Sequence, residues 1–136
     1  MSPKTSVRCL AIVMAAMLGW AHFPVLAADS DERDSLAQQF ATTVRPLLQS
    51  YCHNCHGNGK SEGELNLAAY SSLANVSARH QTWAVVLERL EAKEMPPEDA
   101  LQQPTPQERT AIANWIRAFR KHEAEKNASD PGVVPV

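Results

Sequence analysis

The chain has 136 residues, with 13 Lys and Arg against 15 Asp and Glu, for a formal net charge of −2. That length is one domain's worth of chain. The absence of a basic stripe excludes a nucleic-acid binder, which needs clustered cations to meet phosphates.

Residues 1–27 read as a secretory signal peptide. Lys4 and Arg8 give a basic start, Cys9 to about Leu18 is apolar, and Val25-Leu26-Ala27 is a small-residue end with cleavage expected after Ala27. The apolar run is short for a bilayer span, so a retained membrane anchor is the alternative. Removing 27 residues from 136 leaves 109, and the signal carries two of the 13 basic residues and none of the 15 acidic ones, leaving 11 against 15, or −4. The expectation is an exported protein, periplasmic or otherwise outside the cytoplasm, with no membrane span after cleavage. A mildly acidic surface does not identify its partner.

Residues 28–34 are charged and carry little apolar matter, which predicts a flexible lead-in. From Ser35 onward Leu36, Phe40, Val44, Leu47, Leu48 and Tyr51 recur at spacings of three and four, one face of a helix. Pro46 interrupts that helix and is expected to bend it, because proline removes a backbone donor and crowds the preceding turn.

The helix leads into Cys52-His53-Asn54-Cys55-His56, the C-x-x-C-H pattern of covalent haem attachment. Thiols three positions apart are neighbours on one helical turn, and each can form a thioether with one haem vinyl group. His56 follows directly, where its imidazole can be the proximal iron ligand. A thioredoxin-like redox pair would need a βαβ context, which is missing here. Structural zinc would need four ligands. A plain disulfide would leave His56 unexplained, and a bridge over two residues closes too short a loop to stabilise much. One haem c with its iron is the cofactor the motif predicts.

Gly57 to Gly63 holds three glycines in seven residues and reads as a loop; it lacks the spacing of a phosphate-binding loop. A short helix is expected over Ala68–Leu73. Trp83, Val86, Leu87 and Leu90 predict a helix from His80 to about Lys93, with His80 an alternative second iron ligand. Glu94-Met95-Pro96-Pro97 ends it. Met95 is the only methionine after residue 27. The prolines stiffen its loop and push its backbone toward an extended form, and 39 residues separate it from His56, enough chain to reach the opposite haem face. These points make it the expected distal ligand; the alternative is a surface methionine in a proline-bounded turn. Thr105-Pro106-Gln107-Glu108 reads as a capping box with Pro at the first helical position. It opens a last helix with Ile112, Trp115, Ile116 and Phe119 on its apolar face. Residues 35–122 are thus expected to form the domain and 123–136 a disordered C-terminal tail, with His122 near a frayed end.

From about Phe40 to Phe119 the chain resembles the c-type cytochromes, and within them the planctomycete-type cytochrome c domain. The resemblance rests on Val44-Arg45-Pro46-Leu47-Leu48 before Cys52-His53-Asn54-Cys55-His56-Gly57, then Gly63-Glu64-Leu65-Asn66-Leu67, Glu94-Met95-Pro96-Pro97 and Ala113-Asn114-Trp115-Ile116. It implies an all-α, class I-like domain wrapped around one covalent haem, with His56 and Met95 as axial ligands. It also implies that the N-terminal helix, through Phe40 or Val44, crosses the C-terminal helix near Trp115. The expected function is one-electron transfer to a redox partner protein, with no catalytic residue. A haem enzyme or sensor with a displaceable distal ligand is the alternative.

Overall fold

The computed structural model describes residues 25–129, and among these it has six α-helices and no strand. The fold is all-α, as expected. Helix α1 (Val25–Gln39) runs through a π-helical turn (Phe40–Val44) into α2 (Arg45–Tyr51). The buried residues of this rod are Leu36, Phe40, Val44 and Leu48, each four positions from the last. In a straight α-helix such positions rotate by about 40° per step. The wider π turn offsets that drift and keeps them on one face. It ends where Pro46 stands. Arg45 N–H bonds to the Phe40 carbonyl five residues back, and Pro46, with no N–H to give, opens α2.

A single-turn α3 (His53–His56) follows. After it come two 3₁₀ turns (Glu62–Glu64 and Leu67–Ala69), α4 (Leu73–Ser77), α5 (Thr82–Glu91) and α6 (Pro106–Ser129). Helices α1, α5 and α6 and the π turn meet around an aromatic cluster. The Phe40 and Trp115 rings lie 5.1 Å apart, Trp83 meets Trp115 edge-on at 5.8 Å, and Phe119 stacks on Trp115 at 5.4 Å. Trp115 Nε1–H donates to the Leu36 carbonyl at 3.0 Å, pinning α6 to α1. The crossing of Phe40 with Trp115 is therefore as the resemblance implied.

The sequence-based boundaries need three corrections. The lead-in of residues 28–34 is helical, because α1 starts at Val25 and is held against α6, with the Asp29 carboxylate 3.7 Å from His122 Nδ1. The tail of residues 123–136 is helical as far as Ser129. His122 and Glu123 are buried and Glu123 accepts from Ser77 Oγ at 3.0 Å, so the end of α6 is covered by α1 and α4. The expected helix over Ala68–Leu73 is two pieces. The Asn66 side chain takes the Ala68 N–H at 3.1 Å and Ser72 caps α4 through the Asn75 N–H, two side chains competing for backbone that a continuous helix would need. The expected signal peptide lies outside the described residues except for Val25–Ala27, which open α1, and residues 130–136 also lie outside them. Among the described residues no helix is long and apolar enough to cross a membrane.

Candidate functional site

Tyr51 ends α2, and Cys52 turns the chain into α3. Cys52 N–H closes on the Leu48 carbonyl at 2.9 Å, and the Cys52 carbonyl accepts from the N–H groups of Cys55 at 3.2 Å and His56 at 2.9 Å. This one turn sets the two thiols beside each other, both free, with His56 closing it. Gly57 follows with an extended backbone (φ 179°), which any residue could adopt. What demands glycine is space, since a Cβ there would sit 3.0 Å from Ala68 Cβ and 3.2 Å from His53 Cβ and Cγ. The 3₁₀ turn of Leu67–Ala69 thus packs directly on the haem motif.

The facing wall is α5 and the loop after it. Lys93, with φ 60°, reverses the chain: its N–H bonds to the Leu90 carbonyl at 3.2 Å and Glu94 N–H to the Arg89 carbonyl at 3.0 Å. This is a Schellman end with lysine in the left-handed position usually held by glycine. It delivers Met95, whose N–H also reaches the Arg89 carbonyl at 3.3 Å, into a Met95–Pro96 peptide that is cis.

Between the walls lies a cavity of about 1180 Å³, onto which Cys52, Cys55, His56 and Met95 all face, among Leu48, Leu65, Leu67, Val86 and Leu90. Its volume exceeds the roughly 300–1,000 Å³ of ordinary small-molecule pockets. Val85, Met95 and Leu101, the large hydrophobic residues left exposed among the described ones, all border it. Apolar surface without protein cover is thus concentrated at this opening, which suits a large, flat apolar group. The buried His56 Nδ1 has no hydrogen-bond partner, so no protein contact commits that atom of the ring. His53, His80 and His122 do not line the cavity; the structure brings Met95, and not His80, to the same space as His56.

Burial pushes the Cys52 thiol up to about 11, Arg109 offsets part of this, and Cys55 adds to it. Among the described residues no three His, Cys, Asp or Glu side chains converge as a metal cluster, so the two cysteines lack the further ligands of a closed zinc centre. Burial lowers the pKa of His53, and the nearby Arg45 charge adds to the effect.

Two features of the site were not read from the sequence. One is the fit of Gly57 against Ala68, for which the glycine following the motif was the only signal. The other is the approach of Arg109, for which there was none.

The family model described as Planctomycete cytochrome C matches residues 52–99, which run from the first cysteine to just past the Met95-Pro96-Pro97 turn. No curated protein and no solved structure matches the chain. The matched segment holds the paired thiols, His56 and the Met95 loop around one apolar cavity, and over those residues the chain is similar to planctomycete cytochrome c, a haem-binding family.

Proposed function

We propose that this protein is a single-haem c-type cytochrome that carries one electron at a time to or from a redox partner protein, after export from the cytoplasm under the direction of residues 1–27. The observation that carries the reading is the convergence of Cys52, Cys55, His56 and Met95 on one cavity. Haem c would supply the one-electron iron couple. Cys52 and Cys55 would hold it by two thioethers, and His56 and Met95 would be its iron ligands. With both of these ligands supplied by the protein, the iron would keep no free place for a substrate, which favours a carrier over an enzyme or sensor. Methionine opposite histidine raises the reduction potential. Leu48, Leu65, Leu67 and Leu90 keep water from the site and so limit the solvent rearrangement that accompanies a change of iron charge.

The test is made on purified holoprotein, by intact mass after acid-acetone extraction and by carbon monoxide binding to wild type and Met95→Ala. The expected result is haem retained on the chain, poor carbon monoxide binding by ferrous wild type, and ready binding by Met95→Ala. Haem lost on extraction would overturn the thioether assignment. Wild type that binds carbon monoxide as readily as Met95→Ala would put the enzyme or sensor reading ahead.

A further inference from the structure

The loop that carries Met95 is fastened to its own helix by the Schellman end, through main-chain N–H groups. Beyond Met95 the next residue is Pro96, which has no N–H to give. The main-chain handle left at Met95 is its carbonyl, and this is taken from a different element. Arg109, in the first turns of α6, donates from Nη1 to the Met95 carbonyl and to the Leu90 carbonyl at 3.2 Å. One guanidinium nitrogen therefore bridges the last turn of α5 and the methionine itself. A further tie, Gln103 Nε2–H to the Pro97 carbonyl at 2.6 Å, closes the loop on itself and does not reach α6. Arg89, another nearby cation, is paired with Glu94, inside the segment that needs holding.

We propose that Arg109 is a positioning residue for the distal ligand: it anchors the Met95 main chain to α6 and so keeps the thioether from being displaced. The inference rests on Met95 being an iron ligand, as proposed above. Arg109 touches no reacting atom. It acts through the carbonyl one backbone step from the side chain it aims. A charge-assisted hydrogen bond to a main-chain acceptor is among the stronger ones available, and removing it gives the loop a second, unanchored arrangement. The apparent affinity of any outside ligand scales with the population of that open arrangement.

The experiment uses holoprotein of wild type, Arg109→Met, Arg109→Lys and Met95→Ala. It reads three things: the long-wavelength charge-transfer absorption of thioether-bound ferric haem, the carbon monoxide affinity of the ferrous form, and the melting of that absorption band compared with the melting of helical circular dichroism. In Arg109→Met the band is expected to melt below the helices, while the helices melt near the wild-type temperature. Its carbon monoxide affinity should rise about tenfold, equivalent to about 1.4 kcal/mol. Arg109→Lys should fall between, because it keeps the charge and loses the fork. Arg109→Met with a carbon monoxide affinity within about twofold of wild type, or a band that disappears only together with the helices, would overturn the proposal. If Arg109→Met does not fold, Arg109→Lys is judged by the same criterion. Wild type without the band, or Met95→Ala that keeps it, would refute the ligand assignment itself, so the two failures are distinguishable.

Discussion

Gly57→Ala tests whether the haem motif is seated by the 3₁₀ turn behind it. The backbone at Gly57 is extended, so alanine there carries no conformational strain, and any cost must come from the added methyl. That methyl would lie 3.0 Å from Ala68 Cβ and 3.2 Å from His53 Cβ and Cγ, against about 3.5–4.0 Å for a favourable carbon contact. Opening the gap by roughly half an ångström or more means moving Leu67, which is buried in the core, or the turn that holds Cys52 and Cys55. Overpacking of this kind costs about 1–3 kcal/mol. Denaturant unfolding of holoprotein should show the unfolding free energy falling by that amount, as a lower midpoint at unchanged slope. Ala68→Gly removes the nearest of the three clashing atoms. The double variant should therefore recover part of the loss, with a coupling of about 0.5–3 kcal/mol. Gly57→Ala within about 0.5 kcal/mol of wild type, or a loss that Ala68→Gly leaves untouched, would refute the packing argument.

Two further outcomes follow from the contacts around α6. Phe40→Ala removes a ring buried between Trp83 and Trp115 and should lower holoprotein stability by about 3–5 kcal/mol, read from the denaturant midpoint; a loss under about 1 kcal/mol would mean that the cluster is not the core. The Glu108 carboxyl is held below its ordinary value of 4.5 by the Thr105 N–H and hydroxyl and, beyond these, by the Tyr51 hydroxyl, with burial acting the other way. Because its folded value is the lower one, the stability it contributes is full above 4.5 and is lost as pH falls through the folded value. Wild type should accordingly exceed Glu108→Gln in melting temperature near neutral pH and lose that lead on acidification, whereas a pH-independent gap would show that the carboxylate charge is not involved.

Residues whose chemistry is written in their own neighbourhood were legible in the sequence. The residues gathered at the cavity were marked out beforehand, Cys52, Cys55 and His56 by spacing and Met95 as the sole methionine after residue 27, in front of two prolines, and the capping box was marked by its residue types. Its predicted bonds are present, with Thr105 N–H on Glu108 Oε2 at 2.8 Å and Glu108 N–H on Thr105 Oγ1 at 3.2 Å. The helix faces were legible wherever apolar residues marked them. What was missed depends on polar residues that tertiary contact buries. His122 and Glu123 look like a solvated helix end until α1 and α4 are laid over them. Asp29 looks like a lead-in until its helix meets α6. Arg109 is a charged residue beside a capping box, and no local pattern says that its fork reaches across to Leu90 and Met95.

The two sides of the cavity meet in the core, where Phe40 packs on Trp83, and adjacent residues of α6 connect them as well. Glu108 accepts the Tyr51 hydroxyl at 3.1 Å on each oxygen, which fixes the end of α2 one residue before Cys52. Arg109, the next residue, holds the Met95 carbonyl. Consecutive side chains of opposite charge point about 100° apart around a helix, so a single turn of α6 can reach the cysteine wall with one and the methionine wall with the other. The carboxylate that caps the helix is also the one that receives Tyr51. Forming the first turn of α6 therefore sets both contacts at once, and the distance between the two cysteines and the methionine is tied in part to a helix that contributes no residue to the lining of the cavity.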